Sequence, residues 1–403
     1  MKKKICFLTD SIFSMGGVQR VTSVVARELS NDCDVTIVTF DPPASKDTSL
    51  YGLNGWSIAY RFVSYPSVGW LHEKLCKAYS ACYKLLQPRW RWASDLYARS
   101  SFPAPRRRAL EQELNDGHYD AIVGVHAPLA ARLATMKPRL QGARCIGWVH
   151  NSFEALFGPT SLYIGPRLKH HYLCQFQKLD STVVLSRFDA RCYQAAIGHC
   201  STDNGQWPTV IYNPLTLQPG APSRGTSRQF LAVGRFSHRH KGFDLLIDAF
   251  RLFARQNKEW TLHIVGEGPE EPLYRQKIAD YGLEQRIMLH PFTNHIQDYY
   301  TQAQVYVLSS RWEGFGLVLV EAMAHGLPVV SSNLPTSLEI MGDFGLYFEN
   351  GNVEQLAQRL VDATLLDWKA KSERALEVAR RFDVDHIISQ WKEELIPSEF
   401  PRR

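Results

Sequence analysis

The sequence alternates short apolar runs with helical stretches, and this pattern constrains the fold more than any other feature. In the first half, strands are predicted at 5–8, 35–40, 121–125, 145–149 and 182–185. Residues 18–29 between the first two runs carry apolar side chains at helical spacing, which predicts a βαβ unit. Such short, nearly continuous apolar runs suit a parallel sheet covered by helices on both faces.

The alternation restarts after a turn-rich stretch at 213–229. The second series predicts strands at 230–233, 262–265, 287–289, 305–308 and 329–331, with helices that include 243–254, 316–325 and 375–396. We therefore predict an α/β fold class with two Rossmann-like, doubly wound parallel-sheet domains. Ligands of such sheets bind at the carboxyl ends of the strands, so two domains in tandem predict a cleft lined by residues that follow strands.

Composition places the chain among ordinary globular proteins. Of its 403 residues, 45% are hydrophobic and 21% charged, enough apolar material for two cores. No apolar run reaches the roughly 18 residues of a spanning helix. The run at 5–8 is too short for a signal peptide core. Eight cysteines without a CxxC pair indicate buried free thiols. We expect a cytoplasmic protein.

A basic loop follows the predicted strand 230–233 and leads directly into a helix. It contains Arg235, which can bind two phosphate oxygens as a fork, and Lys241, a compact point charge. Fixed cations beside a helix amino terminus suit an anionic phosphate group. The alternative is an ordinary solvated basic loop.

A second loop, after the strand 305–308, combines glycines with two carboxylates. Gly314 and Gly316 let the backbone approach a ligand closely, and the helix that begins near Gly316 presents amide groups. Glu313 precedes this helix, and Glu321 lies eight residues further on, in an almost wholly apolar stretch. A carboxylate there needs a partner, although an ordinary helix glutamate is the alternative.

These loops resemble the retaining glycosyltransferases of family 4, which have the GT-B fold. Glu313 and Glu321 match the EX7E motif of that family, and Arg235 with Lys241 matches its diphosphate-binding basic pair. Other family-like motifs are Gly16-Gly17, Gly266-Glu267-Gly268-Pro269 and Gly326-Leu327-Pro328-Val329-Val330. The resemblance is dense from about 230 to 350 and thinner over 1–215.

The resemblance implies a nucleotide diphosphate sugar as donor, with UDP favoured over GDP, and an enzyme of the bacterial polysaccharide or lipopolysaccharide type. It implies that Arg235 and Lys241 neutralise the departing diphosphate, that Glu313 binds hydroxyls of the donor sugar and that Glu321 binds the ribose. The remaining donor-binding residues would be Gly16, Gly17, Gly266, Phe315, Gly316, Leu317 and Val318.

Two histidines end strands of the first half. His126 stands in an HxP context like that of the family histidine that faces the reacting sugar, and His150 is the second candidate on the acceptor side. The family more often has Glu where this chain has Ala127. The alternative role for either histidine is a hydrogen-bonded strand end.

No metal or cofactor is expected. A nucleotide diphosphate already leaves readily, so catalysis needs stabilisation of its charge, which Arg235 and Lys241 supply. The sequence has no DxD pair in a suitable loop. In the family, retention is attributed to attack on the same face of the sugar, with the leaving phosphate taking the acceptor proton.

The domain boundaries are predicted from the turn-rich stretch and the resemblance. Residues 1–215 would form the acceptor-binding domain and 216–382 the nucleotide-sugar-binding domain. The resemblance implies that a C-terminal helix at 383–403 completes the first domain.

Residues 70–108, the basic aromatic segment, suggest a membrane surface. Nine basic residues stand there against Glu73 and Asp95, whereas the whole chain has a net charge of +6. The segment also contains Trp70, Tyr79, Tyr83, Trp90, Trp92, Tyr97 and Phe102. Cations with aromatic side chains suit the headgroup layer of an anionic membrane. We therefore predict a peripheral enzyme at the inner face of the cytoplasmic membrane that acts on a lipid-linked glycan. The alternative is a solvated helical pair with buried tryptophans, and no nucleic-acid-binding motif accompanies the segment.

Four other functions are alternatives. The same fold could serve a nucleotide-sugar epimerase or a phosphorylase. An NAD-dependent oxidoreductase would need GxGxxG after the first strand, which residues 14–18 do not supply. A non-catalytic sugar-nucleotide-binding subunit would not need the full set of Arg235, Lys241, Glu313 and Glu321.

Overall fold

The computed structural model describes residues 2–159, 161, 163–197, 207–237 and 240–397. The chain divides into two compact units. The first comprises Met1–Pro214 with Val384–Arg403, and the second comprises Leu215–Asp383.

The first unit is built on a parallel sheet of seven strands in the order β3-β2-β1-β4-β5-β6-β7. Its strands are β1 Lys3–Thr9, β2 Cys33–Thr39, β3 Ile58–Phe62, β4 Ala121–Val125, β5 Arg144–Trp148, β6 Ser181–Val184 and β7 Thr209–Val210. Its helices are α1 Gly17–Leu29, α2 Trp70–Leu86, α3 Arg91–Ser101, α4 Ala104–Asp116, α5 Ala127–Met136, α6 Phe153–Phe157, α7 Lys169–Phe176 and α8 Arg187–Ile197.

The second unit repeats this plan with a parallel sheet in the order β10-β9-β8-β11-β12-β13. Its strands are β8 Gln229–Val233, β9 Thr261–Val265, β10 Ile287–His290, β11 Val305–Leu308, β12 Val329–Ser332 and β13 Leu346–Phe348. Its helices are α9 Phe243–Ala254, α10 Glu271–Asp280, α11 Ile296–Gln302, α12 Leu317–Ala324, α13 Pro335–Met341, α14 Val353–Thr364 and α15 Trp368–Ala379. A last helix, α16 Val384–Leu395, returns to the first unit.

In each sheet the strand order reverses once, between β1 and β4 and between β8 and β11. At such a switch point, the loops that leave the two strands diverge to opposite faces and open a crevice for ligands. The predicted doubly wound α/β architecture is therefore confirmed, and the crevice of each sheet is located.

The predicted strands agree with the structure, but three edge elements were missed. β3 is only partly buried, and β7 and β13 are two and three residues long. Short or partly exposed strands lack the continuous apolar run that identifies the central ones.

The prediction of one helix over 375–396 is wrong. A 3₁₀ turn at Arg380–Phe382 separates α15 from α16, and the Phe382 carbonyl accepts a hydrogen bond from the Leu215 amide, 2.8 Å away. Asp383, which follows the turn, is of a residue type favoured immediately before a helix start.

Of the seven cysteines that the structure describes, four are buried as predicted, but Cys76 and Cys192 are only partly buried and Cys82 is exposed. Cys200 lies outside the described residues. Over the ranges that the structure describes, none of the helices has the length and apolar character needed to cross a bilayer.

Candidate active site

The basic loop after β8 is shaped by close backbone packing. Gly242 adopts φ +62° at the start of α9, and a side chain there would collide with the carbonyl of Ser309 at the end of β11. The loop from β8 is thereby held against the loop from β11, at the switch point of the second sheet. Glycine is required because no other residue permits both this φ and this approach.

Lys241 and Glu313 meet at this switch point. Their Nζ and Oε1 atoms lie 2.7 Å apart, with both side chains largely buried, and the Ser310 hydroxyl donates to the same Oε1 at 2.6 Å. Burial favours the neutral carboxyl, but the charges of Lys241 and His240 outweigh it, so the pKa of Glu313 lies below its usual range. The result is an ionised carboxylate and a lysine cation fixed beside each other.

Arg235 lies in the same loop as Lys241 but is exposed. An exposed guanidinium at this position can present its fork of donors to an arriving phosphate. Residues 238 and 239 of this loop lie outside the described residues.

Glu321 is buried within the second unit, separately from the Lys241–Glu313 pair. Only 2% of it is exposed, and its two oxygens accept hydrogen bonds from Thr216 at 3.2 Å and from Tyr300 at 3.0 Å. These neutral partners satisfy a carboxylate in an apolar helix. The sequence suggested that Glu321 needs a partner, but it could not identify residues so distant along the chain.

The start of α12 forms the wall beside Glu313. Gly316 adopts φ +85°, which turns the chain into the helix, and Leu317 and Val318 occupy its first turn. First-turn amides have no acceptor within their own helix, so this end of α12 suits an oxyanion. Phe315 is buried against Phe382, with ring centroids 5.7 Å apart.

Two contacts that the sequence did not reveal hold the Glu313 loop. Arg311 forms a fork with Asp244, with both hydrogen bonds at 2.8 Å. The His240 ring stacks on Trp312, with centroids 4.8 Å apart. Arg311 and Trp312, which directly precede Glu313, were the only signal in the sequence.

Gly266, a predicted donor-binding residue, has a structural reason to be glycine. Its φ is +157°, and a side chain would collide with the carbonyl oxygen of Gly234. Its amide donates to the carbonyl of His290, 2.9 Å away. These contacts hold the backbone of Gly234, the residue before Arg235. Direct binding of the donor by Gly266 stays a prediction.

In the first unit, the Gly16-Gly17 loop after β1 is held by two side chains. The Asp41 carboxylate accepts from the Ile12 amide at 2.8 Å, and the Tyr51 hydroxyl accepts from the Gly16 amide at 2.7 Å. Gly16 is extended, with φ 177°, so its backbone does not itself require glycine. A role in closing over phosphates stays a prediction for both glycines.

His126 and His150 lie together at the carboxyl ends of β4 and β5, with ring centroids 5.5 Å apart. Burial lowers the pKa of both, so both imidazoles are neutral at pH 7. His126 caps α5 with φ +75°, a rare backbone conformation for a non-glycine residue and one often found at functional sites. His150 is buried, and its Nε2 has no hydrogen-bond partner within the described chain. This geometry favours His126 as the residue that meets a ligand.

Comparison with known proteins identifies the family of the chain. Residues 217–381 match the family model described as glycosyl transferases group 1. The chain is 30% identical to the amylovoran biosynthesis glycosyltransferase AmsD of Erwinia amylovora, over 97% of this chain and 99% of that protein. It is also 30% identical to a glycosyltransferase of Haemophilus influenzae over 190 residues, and spans about half (53%) of that relative's length.

Solved structures show the same fold. Anabaena Alr3699/HepE, solved in complex with UDP and glucose, superposes with a TM-score of 0.73 at 21% identity, covering 98% of this chain and 100% of that one. The chain therefore belongs to the group 1 glycosyltransferases, also called family 4, and it has the GT-B fold. It is a glycosyltransferase of the hexosyltransferase class.

Proposed function

We propose that the protein transfers a hexose or N-acetylhexosamine from a UDP-sugar to a growing bacterial cell-surface glycan, with retention and without a metal ion. The buried Lys241–Glu313 pair, placed at the switch point between β8 and β11, is the observation that carries the proposal. The pair places a cation that can bind a diphosphate next to a carboxylate that can accept hydrogen bonds from sugar hydroxyls. The HepE complex with UDP-glucose and the role of AmsD in amylovoran biosynthesis support the donor and the pathway class.

The reaction needs charge to be stabilised as the sugar–phosphate bond breaks. Lys241, Arg235 and the first-turn amides of α12 stabilise the negative charge that collects on the departing diphosphate. Glu313 accepts hydrogen bonds from donor hydroxyls, and Glu321 accepts them from the ribose. The acceptor hydroxyl attacks the anomeric carbon on the face that the diphosphate leaves, and its proton passes to a leaving phosphate oxygen.

The first unit supplies the acceptor side in this proposal. His126, at the switch point of the first sheet, is a neutral hydrogen-bond partner for the reacting sugar, and Gly16 and Gly17 border the donor phosphates. The second unit, Leu215–Asp383, holds the nucleotide sugar in this proposal.

Nucleotide-dependent thermal stability tests the donor assignment. UDP near one hundred times its dissociation constant should raise the melting temperature of the second unit by roughly 5–10 °C. The rise should persist in EDTA, and GDP should give a smaller one. Stabilisation only by NAD, or by none of these nucleotides, would contradict the donor site. A rise that EDTA abolishes would contradict the metal-independent reaction.

We further propose that the acceptor is lipid-linked and that the basic aromatic segment contacts an anionic membrane. Trp70, Trp90 and Trp92 are 69%, 64% and 64% exposed, which excludes the alternative of buried tryptophans. Of helix α2, only Tyr83 is buried. Exposed apolar side chains among cations match the chemistry of an anionic headgroup layer.

Vesicle binding tests this surface. The protein should sediment with phosphatidylglycerol vesicles at low salt and much less with phosphatidylcholine vesicles, because the cations attract anionic headgroups. Replacing Trp90 and Trp92 together by Ser should reduce binding about tenfold. Trp56→Ser, an exposed tryptophan of the same unit outside the segment, is the matched control. Equal binding by both variants, or no binding by the unaltered protein, would refute the membrane contact.

A further inference from the structure

A cavity in the first unit lies between α3, α5 and α7. Its volume is about 110 Å³, room for several water molecules and hence for a carboxylate or phosphate group. Tyr97, Phe102 and Tyr172 form aromatic walls, and Arg132 and His171 contribute charge and polarity. None of these five residues takes part in the proposed transfer, although Tyr97 and Phe102 belong to the basic aromatic segment.

Arg132 has no acidic partner in the part of the chain that the structure describes. Its guanidinium lies 5.4 Å from the centroid of the Phe102 ring and 6.0 Å from that of Tyr65, and its polar contact is the Tyr65 hydroxyl at 3.5 Å. A second guanidinium, Arg106, lies 5.9 Å from the same Tyr65 ring. An anion bound here would be attracted by both cations, while their mutual repulsion would fall.

The remaining polar groups of the cavity suit hydrogen bonding. Nδ1 of His171 pairs with the Ser94 hydroxyl at 3.0 Å, and burial lowers the pKa of this imidazole to about 4. Burial raises the pKa of Tyr172 to about 12. At neutral pH, Tyr172 therefore keeps its proton, so the phenol can donate to an anion without repelling it. His171 is then an uncharged polar group, and the positive charge of the cavity lining comes from Arg132.

The cavity lies near the carboxyl edge of the first sheet. Tyr65 follows β3 and packs at a tilt on Phe40, which follows β2, with ring centroids 4.6 Å apart. Arg132 lies on α5, six residues or roughly 9 Å beyond His126 along the helix. This is the edge at which open parallel sheets bind ligands.

We propose that this cavity binds an oxyanion carried by the acceptor, with Arg132 as the main cation. The inference rests on the proposed function, because it assigns the first unit to the acceptor. It defines the acceptor as a glycan that carries a carboxylate on a sugar, or a phosphate, close to the reacting residue. A guanidinium with aromatic walls suits either group, since it binds the oxyanion while the rings pack on the sugar.

Binding of small anions to the full chain tests the proposal. Methyl glucuronide, inorganic phosphate and uncharged methyl glucoside are titrated with saturating UDP present, so that phosphate cannot occupy the proposed donor site. Saturation-transfer NMR reports the glycosides, and ³¹P line broadening reports phosphate. At least one anion should bind, and Arg132→Gln should weaken it about tenfold or more, because a hydrogen bond to a charged group is lost. Whether glucuronide or phosphate binds identifies the source of the oxyanion.

Arg108→Gln is the matched control, because Arg108 is an exposed cation of the same unit that does not line the cavity. It should bind the anions as the unaltered protein does. Tyr172→Phe, which removes only a hydroxyl, should weaken anion binding severalfold. This variant replaces Arg132→Gln as the test if the Arg132 variant does not fold. Equal affinity in the Arg132 and Arg108 variants, or binding of neither anion, would overturn the cavity assignment. The UDP-induced melting shift is measured on every variant, because its absence would instead refute the proposed function.

Discussion

Replacing Lys241 by Gln should lower kcat about 100- to 1000-fold while the chain still folds. In the proposed reaction this cation stabilises the charge on the departing diphosphate, and loss of one such group typically costs that much in rate. The variant should also show a smaller melting shift with UDP. Lys277→Gln removes a lysine of the same unit that also pairs with a carboxylate at 2.7 Å, and it should leave kcat nearly unchanged.

A double variant separates catalysis from folding. Lys241→Gln alone leaves the buried Glu313 carboxylate without its cation, which destabilises the fold by itself. In Lys241→Gln with Glu313→Gln, no buried charge is left unpaired, so stability should recover while activity stays low. If activity recovered together with stability, the Lys241 cation would have only a structural role.

The single variant should also show a specific dependence of stability on pH. Without Lys241, burial should raise the pKa of Glu313 above its unfolded value instead of lowering it. The folded state then binds a proton more readily than the unfolded state. Its stability deficit should therefore be largest at high pH and should shrink as pH falls through the raised pKa. Urea unfolding at pH 5 and pH 8 measures this, with the double variant as a reference that should lack the trend.

The sequence predicted the central elements and the positions of the candidate residues because both depend on local pattern. Buried parallel strands are continuous apolar runs, and Arg235, Lys241 and Glu313 lie in the loops that follow two such runs. The doubly wound strand order then brings the loops after β8 and β11 together. Local pattern and topology therefore suffice to predict that Lys241 and Glu313 meet, as the ion pair between them shows.

Features that depend on distant contacts could not be predicted. Thr216 and Tyr300 bind Glu321 from 105 and 21 residues away, and neither lies in a motif. The Arg132 cavity requires three helices to meet, and nothing in their separate sequences indicates it. In the basic aromatic segment, Trp90 is exposed and Tyr83 is buried, although composition treats them alike. Burial is decided by tertiary packing, which composition does not contain.

Helix α16 is essential to the core of the first unit, and replacing Trp391 by Ala should cost about 3–5 kcal/mol of unfolding free energy. Trp391 is fully buried and packs edge to face on Trp148 of β5, with centroids 4.6 Å apart. Arg144 holds the same helix through the Glu394 carboxylate at 2.7 Å. Trp92→Ala, which removes an exposed tryptophan, should change stability by roughly 0.5 kcal/mol or less.

Hydrogen exchange resolves which unit this loss affects. In Trp391→Ala, amides of β1 and β5 should exchange faster while those of β8 and β11 keep their rates, because α16 packs in the first unit. Trp148 lies 4.3 Å from the His150 ring, which in turn adjoins His126. The space left by the missing Trp391 side chain would loosen the packing that supports His126. Transferase activity should therefore fall even where the UDP-induced melting shift is retained. Unchanged exchange in β1 and β5 would mean that the last helix does not stabilise the first unit.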